Sequence, residues 1–204
     1  MKRAFVLVLI VFSAFTARAQ FPSEVWHEGE VVLAQGDSLT GLVKYDLETD
    51  LVQFTTDQRT IQTFTARKLL HFEIFDKLSN RYRQFYTLPF GLTGDYQAPI
   101  IFELVFEGKK LTLLGREAIE YQVTNYPSAV AGSYTRLELV FTHFFLTDEG
   151  RIIQFDGKKN SLLRGVMSRK SSEIKKFIKS NHLRSDRRGD LIKIVSYYNS
   201  LYED

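Results

Sequence analysis

The tetrapeptide Gly36-Asp37-Ser38-Leu39 is the one catalytic-looking word in the chain. A serine becomes a nucleophile only when a base lies within hydrogen-bond reach and a third group orients that base. The sequence offers four histidines, His27, His71, His143 and His182. They are widely spaced, without the helical or cross-hairpin pairing of a zinc site, and read as solvated or singly bonded side chains. Glu103, Glu107, Glu117 and Glu120 fall where two strands could bring carboxylates face to face, as in glycosidases. On an exposed sheet face the same residues are simply solvated. Tyr82, Phe85, Tyr86 and Phe90 form an aromatic cluster able to line a ligand groove, or to pack on the sheet. Cysteine is absent, which removes thiol catalysis, iron–sulfur clusters and cysteine zinc sites. No residue pattern calls for a cofactor or a metal.

Gly36-Asp37-Ser38-Leu39-Thr40 followed by Gly41, after the apolar Val31-Val32-Leu33, resembles the nucleophile block of GDSL-type (SGNH) esterases. The resemblance implies that Ser38 attacks an ester carbonyl and that its backbone N–H helps form the oxyanion hole. That family also carries a Gly-x-Asn-Asp block and a late Asp-x-x-His, and neither exists here. The residue three positions before His71 is Lys68, before His143 it is Val140, and before His182 it is Lys179. The family places a helix after its serine, whereas Leu42 to Tyr45 alternates like a strand. The preferred reading is a hairpin turn; a serine esterase using Ser38 is the alternative.

The elements that must position these residues are strands. Residues 29–56 alternate with period two on both sides of Gly36-Asp37 and return again at Glu48-Thr49-Asp50, which is the strand–turn–strand pattern. Alternation continues through Ile61 to Phe64, a short helical turn at Ala66 to Leu70, His71 to Phe75 and Tyr82 to Tyr86. Leu88-Pro89-Phe90-Gly91-Leu92-Thr93-Gly94, with Pro99 behind it, reads as a break. Ile100 to Phe106 and Leu111 to Leu114 follow as strands. A second break at Tyr126-Pro127 to Gly132-Ser133 precedes Leu137 to Leu146 and Arg151 to Phe155. About ten short strands in sequence, with turn signals every ~8–12 residues, predict a mainly β fold, an antiparallel sandwich or barrel-like meander.

From Asn160 the period changes. Ile174, Phe177 and Ile178 share one helical face, and Leu191, Ile194, Val195, Tyr198 and Leu201 share another, predicting a C-terminal α-helical hairpin with Ser171 and Asp186 as N-caps. A preceding turn around Ser161 to Met167 is a further helical candidate. From Lys158 onward the chain carries twelve basic and five acidic residues, a net +7.

At the other end, Lys2 and Arg3, the apolar run Ala4 to Phe15 and Ala17-Arg18-Ala19 have the layout of a secretory signal peptide cleaved after Ala19. The apolar run is shorter than the ~20 residues of a membrane span. The whole chain has 27 basic and 24 acidic residues. Removing Lys2, Arg3 and Arg18 leaves 24 of each, so the strand region carries −7 against the tail's +7. The basic isoelectric point is therefore not a nucleic-acid footprint. Without cysteine, an exported chain of 185 residues must be held by its core. The expected organisation is a signal peptide at 1–19, an antiparallel β domain at 20–157 and a basic helical tail packed on it at 158–204.

Ala17-Arg18-Ala19 before Gln20, the hairpin Gly36 to Asp46 and the ending Asp190 to Leu201 together resemble uncharacterised exported β-rich proteins of Bacteroidota-type bacteria. The resemblance implies a compartment and an architecture and carries no activity. The function expected is a non-catalytic binding or structural module of the cell envelope, periplasmic or extracellular. Its partner would be an envelope protein, a glycan or an anionic surface, with no nucleic acid and no transmembrane span after cleavage.

Overall fold

A computed structural model describes residues 25–93, 96–125 and 133–203. The expected signal peptide and its cleavage site lie outside these residues, as does all of the expected break from Tyr126 to Ser133 except Ser133, which opens a strand.

The strands are β1 (His27–Leu33), β2 (Ser38–Asp46), β3 (Leu51–Thr55), β4 (Gln62–Thr65), β5 (Leu69–Asp76), β6 (Arg81–Thr93), β7 (Tyr96–Phe106), β8 (Leu111–Asn125), β9 (Ser133–Thr147) and β10 (Ile152–Phe155). They form one antiparallel sheet in the order β10-β9-β8-β7-β6-β5-β1-β2-β3-β4. Two meanders, β1 to β4 and β5 to β10, are joined by pairing β1 with β5. The sheet is single and is not closed, so the fold is the meander rather than a sandwich or a barrel. It is nevertheless curled. Arg116 of β8 lies 3.1 Å from Asp50 of the β2–β3 turn, although five strand spacings, roughly 24 Å in a flat sheet, separate β8 from β2.

Short aspartate-capped turns explain why so many strands fit in so few residues. The Asp46 carboxylate accepts the N–H groups of Glu48 and Thr49, Asp57 those of Arg59 and Thr60, and Asp76 that of Leu78. Each replaces a backbone turn bond with a side-chain one. Over Leu88 to Thr93 the expected break is replaced by strand, because β6 runs through Pro89, which faces Pro99 of β7; Gly94, the last residue of that expected break, lies outside the described residues. An antiparallel pair alternates between residues that exchange both backbone bonds and residues whose N–H groups point apart. Two facing prolines fit only the second kind. Their outward edges fall beyond the last registered residues of β5 and β8, so no ladder bond is lost.

Three helices follow: α1 (Lys159–Arg164), α2 (Ser171–Ser180) and α3 (Arg188–Ser200). Neither expected N-cap acts as one. A 3₁₀ turn at Ser168–Lys170 puts Ser171 already in helical backbone, at φ −60° and ψ −32°. Asp186 instead pairs with Arg184, and α3 starts two residues later. No helix among the described residues is long and apolar enough to cross a membrane.

One face of the sheet carries two cores. At the β1–β5 end Val31, Val43, Tyr45, Val52, Phe72 and Phe85 are buried together. At the other end Leu111, Leu113, Phe145 and Phe155 are buried against Leu162, Ile174, Leu191, Ile194 and Tyr198 of the helices. A third, smaller cluster, centred on Phe102, Leu114 and Phe144, sits on the opposite face.

Candidate functional site

The register across β6 to β10 aligns Phe85, Glu103, Gly115, His143 and Phe155 in one row. The row's ends belong to the two cores, and its middle is polar. Glu103 is 3% exposed, the only acid in the run Ile100-Ile101-Phe102-Glu103-Leu104-Val105-Phe106. Its carboxylate accepts two hydrogen bonds from Arg83, Nε to Oε1 at 3.1 Å and Nη2 to Oε2 at 2.9 Å. Arg188, at the start of α3, donates a third to Oε1 at 2.7 Å. Arg83 Nη2 also donates to Glu117 at 2.9 Å. Two acids and two bases thus close a neutral network between the cores.

Gly115 makes the arrangement fit. A Cβ there would stand 2.5 Å from the Phe141 ring and 3.0 Å from Val105. The ring fills the gap that glycine leaves, and the Arg188 guanidinium lies over it, 4.7 Å from its centroid. Arg188 therefore reaches Glu103 across an aromatic face, where a cation is attracted by the ring quadrupole.

Burial alone would raise the Glu103 carboxyl, but the hydrogen bonds and charge of Arg83, joined by those of Arg188, hold it below the usual carboxylate range. A general acid requires the opposite shift, and a base whose lone pairs are taken by two guanidiniums is weak. Beside it, His143 is pushed down to about 4, by burial first and by the Arg188 charge second, with Glu103 opposing. Its Nε2 is buried without a hydrogen-bond partner among the described residues. The neutral imidazole forms part of the wall of an open groove with Phe141, Thr142, Gln154, Ser185 and Arg188. At the far side of the network, burial and then Asp50 push the Tyr45 hydroxyl well above its ordinary value.

The expectation that Glu103 and Glu117 are solvated on an exposed face is thus corrected. They meet, but through arginine, because odd-numbered residues of β7 and β8 face the cores. Glu107 and Glu120 are exposed. Among the described residues no group of three histidine or acidic side chains is placed to hold a metal ion. The histidines differ more than their spacing suggests. His27 Nδ1 lies 3.2 Å from the Phe75 carbonyl, His71 stacks on Tyr86, and His182 is exposed.

Ser38 opens β2 just past the turn, where Gly36 adopts φ +98°. It is exposed and donates its hydroxyl to Glu30. The register Ser38–Val32–His71 puts β1 between the serine and the histidine of its row, about 9.5 Å across. Period two sets Phe85 on the face opposite Tyr82, Tyr86 and Phe90, and those three each pack on different neighbours. Phe85 is buried, stacked on Phe72 at 4.6 Å. Tyr82 is 61% exposed against Phe75, Tyr86 stacks on His71, and Phe90 packs on Phe102 and Phe144. Compared with known proteins, the chain matches no family model, no curated protein and no solved structure.

The burial of Glu103 and the role of Asn199 escaped the sequence reading. Glu103 is legible in retrospect as a lone acid in an apolar run, since a fully buried acid needs a partner. Asn199, 5% exposed, sits on the apolar stripe of α3 and gave no such signal.

Proposed function

We propose that this protein is an exported, non-catalytic binding or structural module of the cell envelope. The observation that carries the non-catalytic part is the Glu103 network. The two interior carboxylates that converge, Glu103 and Glu117, are bound by Arg83 and Arg188, so their chemistry is that of a clamp between sheet and tail. The Ser38 hydroxyl, bonded to Glu30 with His71 two strands away, supports the same reading over a serine esterase. Export rests on the N-terminal sequence and on the resemblance to exported β-rich proteins. The outward Lys175, Lys176 and Lys179 of α2 are exposed and suit an anionic envelope partner, whether protein, glycan or surface.

A fluorophosphonate probe tests the catalytic question on protein recovered from its exporting host. No labelling is expected, and an intact mass beginning at Gln20. Stoichiometric labelling that disappears in Ser38→Ala would establish the esterase instead, and a retained Met1 to Ala19 in the membrane fraction would end the export reading.

A further inference from the structure

At the end of the helical layer farthest from the first core, a groove of about 480 Å³ opens between the sheet and the loop after α1. That volume lies within the range of small-molecule sites. Leu111, Phe155 and Val166 give it apolar walls, while its rim carries charge. The charges at the rim are not all matched. Lys110 pairs with Asp148 at 2.9 Å and Arg151 with Glu149 at 2.7 Å. Arg169 has no ion-pair partner among the described residues, and its charge is felt at both Asp148 and the Tyr198 hydroxyl. Lys110 and Lys170, each paired with a carboxylate (Asp148 and Glu173), stand 5.6 and 5.7 Å from the Tyr202 ring centroid, which leaves Arg169, among the described residues, as the unpaired cation beside the two tyrosines.

The hydroxyls supply a second, independent feature. Tyr198 and Tyr202 lie 3.2 Å apart, oxygen to oxygen. Two hydroxyls own two protons, and their mutual bond uses one. The second O–H has no acceptor among the described residues. An unmatched guanidinium and an unused O–H donor therefore lie at one groove with apolar walls. Asp148 and Glu149 on the rim disfavour a multiply charged guest.

We propose that this groove binds a small monocarboxylate carried on an apolar or aromatic body, its carboxylate taken by Arg169 and the Tyr198–Tyr202 pair. The assignment rests on the binding-module reading above and names the ligand chemistry of one surface of that module.

The test titrates the ¹⁵N-labelled mature chain with 3-phenylpropionate, with the uncharged 3-phenylpropan-1-ol and with inorganic phosphate. The acid is expected to shift the amide resonances of Ile153, Val166 and Arg169. The alcohol and phosphate should each bind about tenfold more weakly or worse, the difference that a charge-assisted hydrogen bond makes. Arg169→Gln, at an exposed position, should fold normally and erase the preference for acid over alcohol, and Tyr202→Phe should weaken it. Equal binding of acid and alcohol, equal binding of phosphate, or an absence of groove shifts with all three overturns the site. The module reading is decided separately, by the fluorophosphonate experiment.

Discussion

Arg188 and Glu103 stand 85 positions apart in the chain and 2.7 Å apart in space. The contact ties the first turn of the last helix to the middle of the sheet, inside the protein rather than at its rim. Opposite net charges on tail and strands suggest a solvated electrostatic seam, which contributes little. The decisive pair instead joins a half-buried Arg188 to a buried Glu103 that is shared with Arg83. Desolvating such groups is costly, so the network adds modest net stability, yet breaking it leaves charges without partners.

Glu103→Ala should therefore destabilise the protein by about 3–5 kcal/mol, since it strands Arg188 and leaves Arg83 with Glu117 alone. Arg188→Ala should cost less, roughly 1.5–3 kcal/mol, because Arg83 still satisfies the carboxylate. Urea midpoints of the two single variants and the double variant measure the coupling. Simple additivity of the two would show that the residues do not act as a pair.

Asn199 is the second tie. Its Oδ1 accepts the N–H groups of Lys110 and Leu111, and its Nδ2 donates to the carbonyls of Leu111 and Val195, all within 2.8 to 3.2 Å. Gly108 permits this, because a Cβ there would stand 2.3 Å from Asn199 Nδ2. Asn199→Ala should lower stability by about 1–3 kcal/mol for the groups it leaves unsatisfied. Gly108→Ala should be damaging alone but nearly silent in the Asn199→Ala background. Equal effects in both backgrounds, read from thermal unfolding, would dissociate the two residues.

Much of the architecture is legible locally. Alternation places the strands, and the aspartates at positions 46, 57 and 76 mark their turns, because strand and turn signals reside within a few residues. What stays hidden depends on partners distant in sequence. Pro89 reads as a terminator until Pro99 is found opposite it. Gly115 reads as the end of a strand, yet β8 continues to Asn125 because Phe141 fills the space above the glycine. The pairing of Glu103 with Arg188 has no local trace at all, and the groove beside Arg169 exists only once the helices are docked.

Acid should act in two stages. His143 is held neutral in the fold at about 4, below the ~6.5 of a free histidine. Between those values the unfolded chain binds more protons than the folded one, so stability is complete above the upper value and falls as pH drops towards the lower. Arg188 and Glu103 face the imidazole, and Glu103, held below the usual carboxylate range, does not titrate in that window. Asp46, Asp57, Asp76, Asp156 and Glu103 are all lowered in the fold, so their contribution is present above the usual carboxylate range and lost below it. His143→Phe should flatten the first stage of a stability–pH curve and leave the second. An unchanged first stage would remove His143 as its source.

The helical tail should be inseparable from the sheet. Leu191 and Ile194 of α3 are fully buried in the same core as Leu113 and Phe145 of the strands, whereas Lys175 is exposed. Leu191→Ala should cost about 2–5 kcal/mol, and Lys175→Ala nothing measurable. Phe177 acts differently from these core residues. It is half-buried and stacks on Tyr197 at 4.0 Å, binding α2 to α3 rather than either to the sheet. Phe177→Asp should open the helix pair to protease with a smaller loss of global stability than Leu191→Ala. Ending the chain at Gly157 removes α1 to α3 together, uncovering Leu111, Leu113, Phe145 and Phe155 and leaving Glu103 without Arg188. Each fully buried aliphatic or aromatic side chain is worth roughly 1.5–3 kcal/mol, so the loss from four is comparable with the 5–15 kcal/mol that holds a typical domain folded. The shortened chain is expected to lose its cooperative transition and to bind an apolar dye. A cooperative transition at the full-length midpoint would instead make the tail an independent arm, and the sheet alone the folded unit.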